Sequence, residues 1–353
     1  MQIMMDIGTT VLDQLQKPTL SFLLGGMMLA ALGSKFEVPQ PVYKFIVILL
    51  LLKVGLGAGM SVRDADLLSL VIPALAAALT GIAIVALGTR ALARLNGVSK
   101  IDGMATAGLF GAVSASTLAA AMAMLDADGI AFEGFIGALY PFMDIAALVT
   151  AVVLGRMSAQ HTASQNATSD GTVTMGGGTG GAAFHVNREL VRGILVDTLR
   201  SPAISALLLG LALGVLAKPD VVYQSFYEPL FKGLLSILML IMGMEAWSRL
   251  SELRKVAHAY VLYGLTAPLV HGLIGFGLGL IAHHLTGFSA GGVVLLAVMA
   301  ASSSDISGPP TMRAALPEAN PSAYVGASTG LGTPVAILSI PLWVWLANLV
   351  IGI

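Results

Sequence analysis

The sequence predicts an all-α polytopic membrane protein, with about ten transmembrane helices in two inverted five-helix repeats and broken helices at the repeat interface. Three observations carry this prediction. The chain of 353 residues is 56% hydrophobic and 10% charged, with a mean hydropathy of +0.88, too apolar and too poor in charge for a water-soluble domain. Its apolar residues gather into runs of about 20, the length that crosses a bilayer core. Finally, its two halves align with each other at a nearly constant shift.

Composition also excludes several functions. A net charge of -1 says nothing about nucleic acid, and no nucleic-acid partner is expected. The absence of cysteine rules out disulfides, thiolate metal sites and cysteine nucleophiles. Residues 1–16 carry acids and no basic cluster, so insertion through the first spans is expected rather than a cleaved leader. The run Gly176-Gly177-Gly178-Thr179-Gly180-Gly181 has no strand before it and no Lys-Ser/Thr after it, so it is not a phosphate loop. No cofactor is expected, and transport driven directly by ATP would need a separate subunit.

Taken in order, spans are expected near 18–34, 44–60, 68–89, 104–125, 135–155, 202–217, 229–246, 259–282, 288–303 and 325–351. The fourth, ninth and tenth are interrupted by small and hydroxyl residues and are the candidates for broken helices. Most lysines and arginines, including Arg90, Arg94, Arg156, Arg192, Arg249 and Arg313, then fall on one side, with Lys17, Arg63, Lys218 and Lys232 on the other. The first side is expected to be cytoplasmic, which leaves both termini outside. The Ser, Thr, Gly and Ala stretch at 158–184 is expected as a flexible cytoplasmic linker between repeats at 1–157 and 185–353. Val186, Leu190, Ile194 and Leu195 alternate at helical spacing with charged residues, so the second repeat opens with a helix at the cytoplasmic interface, or with an extension of the next span.

The repeat is legible residue by residue. A shift of 184 residues carries Pro18 onto Pro202, Ser21 onto Ser205, Gly26 onto Gly210, Tyr43 onto Tyr227, and Gly59-Met60 onto Gly243-Met244. Further on, a shift of 188 residues carries Ser114 onto Ser302. An odd number of spans in each half makes the second half enter the membrane with opposite orientation, as in secondary transporters whose site lies at the repeat interface.

Two polar clusters stand where hydrocarbon is expected. One holds Gly108, Gly111, Ser114, Ser116 and Thr117, joined by Asp144; the other holds Ser302, Ser303, Ser304, Asp305 and Ser307, followed by Gly308-Pro309-Pro310. Irregular backbone is tolerated at membrane depth only where it is buried in protein or lines a cavity. A carboxylate there costs about 2.5–3.5 kcal/mol on insertion scales and marks a functional candidate. Hard cations take oxygen ligands from carboxylates, hydroxyls and carbonyls, which suits sodium. Only Lys53 is basic well within a span, so an anion would rely on hydroxyls and backbone amides, and hydroxyls both donate and accept as bicarbonate does. The plainer alternative makes these small residues helix-packing positions, and that reading is preferred for Ser21, Ser205 and Ser339. Lys53 and Glu245 lie in corresponding spans and either pair or snorkel separately. His271, a lone histidine among apolar neighbours, reads as a packing residue more readily than as a proton relay.

The stretches Leu15-Gln16-Lys17-Pro18-Thr19-Leu20, Gly108-Leu109-Phe110-Gly111-Ala112-Val113-Ser114, Tyr140-Pro141-Phe142-Met143-Asp144, Leu238-Met239-Leu240-Ile241-Met242-Gly243-Met244-Glu245-Ala246-Trp247 and 300–310 resemble the cyanobacterial sodium-dependent bicarbonate transporter family. The resemblance covers nearly the whole chain outside the linker. It implies sodium-coupled bicarbonate uptake at the plasma membrane to supply carboxysomes, in a carbon concentrating mechanism. It also implies a homotrimer with core and gate domains, and a cytoplasmic partner similar to PII proteins that binds adenine nucleotides and inhibits transport. On this reading Gly111, Ser114, Ser116, Thr117, Ser302, Ser303 and Ser304 hold bicarbonate, whereas Asp144, Ser302, Asp305 and Ser307 hold sodium. The alternatives are a carrier of another small anion, a passive channel, or an intramembrane aspartyl protease with Asp144 and Asp305 as its dyad. The protease reading lacks a glycine-x-glycine-aspartate motif and leaves the hydroxyl clusters without a role.

Overall fold

The computed structural model describes residues 18–64, 67–169, 188–253 and 258–352, and all regular structure among them is helical. In chain order the helices are α1 (Pro18–Ala31), α2 (Gln40–Asp64), α3 (Leu67–Leu92), α4 (Lys100–Gly111), α5 (Ala115–Ala127), α6 (Tyr140–Ser169), α7 (Arg188–Leu199) and α8 (Pro202–Leu216). They continue with α9 (Glu228–Leu253), α10 (His258–Thr286), α11 (Ala290–Ala301), α12 (Gly308–Ala315), α13 (Pro321–Val325), α14 (Thr333–Leu338) and α15 (Ile340–Val350). A 3₁₀ turn, Gly134–Leu139, leads into α6, and π turns at Tyr223–Tyr227 and Gly326–Gly332 lead into α9 and α14.

The protein is polytopic. Among the described residues, six helical stretches are long and apolar enough to cross a membrane: Gln40–Arg63, Leu70–Leu92, Lys100–Ala127, Gly134–Ser158, Asp220–Ser248 and His258–Thr286. The pair Pro321–Leu338 and Ile340–Val350, bent by 42°, makes a seventh if it is one span. Shorter apolar helices lie at Pro18–Ala31, Pro202–Leu216 and Ala290–Ala301. Large apolar side chains such as Leu79, Leu216, Val270 and Leu349 face outward, as lipid-facing helices require.

Packing sorts the helices into two groups. In the first, α2 runs along α8 and α1 along α9, with α9 also touching α2. These contacts are backbone-close at glycine. A Cβ at Gly26 would overlap the carbonyl oxygen of Leu240, one at Gly243 that of Leu23, and one at Gly59 that of Leu211. Apolar residues gain little from leaving lipid for one another, so association in the membrane depends on such close approach. In the second group, α3, α4 and α6 pack mutually, α10 lies against α11 and α3, and the turn 326–332 nests on α10.

Two carboxylates tie the second group together at its helix starts. Glu133 accepts from the Ser289 backbone N–H (2.6 Å) and from its Oγ (2.8 Å), and that Oγ caps α11 by accepting from Gly292 N–H (2.9 Å). Asp102, in the first turn of α4, accepts from Asn320 N–H (2.7 Å) ahead of α13. Hydrogen bonds to a charged acceptor contribute about 1.5–3 kcal/mol. Glu133→Ala should therefore lower stability by about 2 kcal/mol in detergent thermal unfolding; an unchanged midpoint would show the tie to be idle.

The stretch 158–184 was expected as a linker, but α6 continues to Ser169. Residues 158–169 contain neither glycine nor proline, so nothing in them stops the helix. The rest of that stretch, the glycine run included, lies outside the described residues. The segment expected at the interface, or as an extension of the next span, forms a helix of its own, α7, separate from α8.

Candidate functional site

The expected breaks in the fourth and ninth spans are present, and they meet. α4 ends at Gly111, Ala112 (φ -89°, ψ 155°) is extended, and Ser114 caps α5 by accepting from Thr117 N–H (3.2 Å). α11 ends at Ala301, Ser302 (φ -73°, ψ 176°) is extended, and α12 starts at Gly308. Pro309 and Pro310 fall in the first turn of α12, where a missing N–H costs nothing. The two extended stretches cross: Ser114 N–H donates to Ser302 Oγ (3.0 Å), and Ser304 N–H donates to the Leu109 carbonyl (2.8 Å). Backbone groups freed from both helices are thus partly satisfied by each other, within protein.

Each half's carboxylate is held by hydroxyls of the other half. Asp144, from α6, is fully buried and accepts from Ser307 Oγ (3.0 Å), as well as from Val113 N–H (3.1 Å) in its own half. Ser307 in turn meets Ser304 Oγ (2.9 Å), which accepts from Gly308 N–H (2.9 Å). Asp305 Oδ2 accepts from Ser116 Oγ (2.8 Å) and Ser114 Oγ (3.3 Å), and Thr117 Oγ1 donates to Ser114 Oγ (3.0 Å). The other oxygen, Asp305 Oδ1, is buried without a hydrogen-bond partner among the described residues. Neither carboxylate has an ion-pair partner among them. A buried carboxylate with a vacant oxygen, ringed by hydroxyls and lacking a positive neighbour, fits a hard cation of low charge.

The structure gathers the expected residues at one crossing, with different duties. Gly111 is a packing position, since a Cβ there would overlap Val85 and Ala147 and touch the Gly81 carbonyl. Ser302 is occupied on both sides, accepting from Ser114 and donating to the Met299 carbonyl (2.7 Å). Ser303 meets Thr333 Oγ1 (3.1 Å). Thr333 was not among the expected site residues; its only signal was the Gly, Ser and Thr run that opens the tenth span. The tenth span is indeed broken, bent by 42° between Leu338 and Ile340, whereas its Gly, Ser and Thr run forms a continuous π turn, a form found often at functional sites.

Two side chains flagged in the sequence have other neighbours. Lys53 places its Nζ 4.3 Å from the Phe231 ring centroid and 5.6 Å from that of Tyr223. Those rings, not Glu245, receive its charge, an arrangement that stabilises a desolvated ammonium. His271 lies edge-on to Phe110 and Tyr263, with Nε2 3.4 Å from the Tyr263 hydroxyl, directly behind the crossing.

The family model described as the Na+-dependent bicarbonate transporter superfamily matches residues 18–348. No curated protein matches the sequence.

Proposed function

Because the chain belongs to the Na+-dependent bicarbonate transporter superfamily, a group of transporters and not of enzymes, we propose that it is a symporter that imports bicarbonate together with sodium by alternating access. The observation that carries this reading is the crossing itself. Two carboxylates without basic partners, one from each half, stand among hydroxyls of the opposite half, and one carboxylate oxygen is vacant. Sodium at Asp305 and Asp144 would neutralise charge that otherwise repels an anion, so each ligand raises the affinity for the other by one factor.

Alternating access needs two related halves, and the contacts support an inverted repeat of ten helices. A single shift of 187 residues carries Asp102 onto Ser289 and Glu133 onto Asn320; it therefore exchanges the Asp102–Asn320 tie with the Glu133–Ser289 tie. The Ser114–Ser302 bond joins positions 188 apart, the shift that aligns the two broken spans. In the other group, Gly26 and Gly210, 184 apart, each abut the second helix of the opposite half, at Leu240 and Leu52. On this reading α1, α2, α8 and α9 form a gate, and the tied remainder forms a core that carries the site. An orientation with both termini outside rests on the basic residues, and a plasma-membrane location on the resemblance. The homotrimer and the PII-like, adenine-nucleotide-binding regulator belong to the same proposal through the resemblance.

Labelled inorganic carbon should accumulate above equilibrium in proteoliposomes of the purified protein when an inward sodium gradient is imposed at alkaline pH. Sodium-independent equilibration would contradict the symporter and point to a channel.

A further inference from the structure

Thr329 lies in the π turn 326–332, 5% exposed, and its Oγ1 has no hydrogen-bond partner among the described residues. Helical threonines normally avoid this position. Here Thr80, Thr106, Thr150, Thr266, Thr286 and Thr311 each donate to the carbonyl four residues back. Ser328, next to Thr329, does the same to the Tyr324 carbonyl (2.7 Å). The hydroxyls of Thr89 and Thr198 are also buried without a partner among the described residues, but of the three only Thr329 lies in a π turn, a form found often at functional sites.

Its surroundings say which ligand. Four residues on, along the widened turn, Thr333 lies on nearly the same face and meets Ser303 Oγ (3.1 Å). Gly332 lets this happen: a Cβ there would overlap the Phe110 ring and crowd Ser303 Oγ. In the extended stretch, Ser302 and Ser304 turn to Ser114 and to Gly308, whereas Ser303 between them faces the π turn. The Ser303–Thr333 hydroxyl pair, with Thr329 four residues before Thr333, therefore has no carboxylate among its hydrogen-bond partners, unlike Ser114, Ser116 and Ser307. The turn that carries Thr329 packs against α9 and touches α4, so it lies between the two helix groups.

We propose that Thr329, Thr333 and Ser303 form the subsite that recognises the anion, separate from the carboxylates that take sodium. This rests on the sodium–bicarbonate reading above. Hydroxyls suit bicarbonate because they donate to its anionic oxygens and accept from its own hydroxyl. Hydroxyls without carboxylate partners also spare the anion the repulsion it would meet beside Asp144 or Asp305. Where a site is built to bond a ligand hydroxyl, removing that bond is costly in affinity.

The test is calorimetry on the purified protein, with sodium titrated alone and bicarbonate titrated at saturating sodium. Thr329→Val keeps the shape and removes the hydroxyl; it should weaken bicarbonate binding about tenfold and leave sodium binding unchanged, while Thr329→Ser restores the affinity. Should Thr329→Val fail to fold, Ser303→Ala is expected to behave as Thr329→Val would. A wild-type protein that binds sodium but no bicarbonate overturns the carrier reading itself. Wild-type bicarbonate affinity in both variants overturns the subsite alone, and equal loss of sodium binding overturns its separation from the carboxylates.

Discussion

Asp305→Asn is expected to abolish sodium-driven uptake while leaving the protein inserted and folded. The substitution keeps the size of the side chain and its capacity to accept from Ser116 and Ser114, but it removes the negative charge beside the vacant oxygen. Leaving one charge of a buried pair without its partner costs about 3–5 kcal/mol, equivalent to roughly a hundredfold to several thousandfold in affinity. Sodium at ordinary concentrations would then leave the site largely empty, and the coupled anion with it. Asp144→Asn should behave similarly, because its amide oxygen can still accept from Val113 N–H while its NH2 donates to a Ser307 hydroxyl turned to accept. Uptake into proteoliposomes, normalised to inserted protein, measures both. Near-normal transport by Asp305→Asn would remove that residue from the mechanism.

The second large effect concerns two adjacent glycines in α1. A Cβ on Gly26 would overlap the carbonyl of Leu240 on α9, whereas Gly25 has open space around it. Gly25→Ala should therefore stabilise the helix slightly, by about 0.5–1 kcal/mol, through lost freedom in the unfolded chain. Gly26→Ala must push α1 away from α9 along their whole contact and should cost about 3 kcal/mol, at the upper end for overpacking. Thermal unfolding in detergent compares the two directly. Equal midpoints for the two variants would mean that α1 does not seat on α9 as described.

Much of this molecule was legible in its sequence, for identifiable reasons. Hydropathy located ten apolar segments because lipid demands continuous apolar helix; among the described residues six are long enough to span, a bent pair makes a seventh, and three are shorter helices. The serine and glycine clusters announced the breaks at Gly111 and Ala301 because irregular backbone inside a span needs polar company. The crossing of Ser114 with Ser302 was foreshadowed by their equivalent places in the aligned halves. What escaped was contact between distant residues with ordinary local sequence. Glu133 and Asp102 belong to no pattern that singles them out in the sequence, yet they bond to helix starts 156 and 218 positions away. Thr333 and Thr329 read as part of a third break, since Gly326, Gly330 and Gly332 suggest interruption; the segment instead widens into a π turn and stays helical. Gly111 sat in the right cluster for a packing reason. Lys53 was noticed as an anomaly, but its aromatic neighbours come from Tyr223 and Phe231, which no local pattern links to it.

Sodium at the crossing carboxylates is expected to prepare the neighbouring hydroxyls for bicarbonate. Calorimetry can measure it as a closed cycle, with bicarbonate affinity at low and at saturating sodium, and sodium affinity without and with bicarbonate. The account predicts that each ligand tightens the other by one common factor, of about tenfold or more, and that this factor falls to one in Asp305→Asn. Bicarbonate affinity that ignores sodium in the wild-type protein would contradict it.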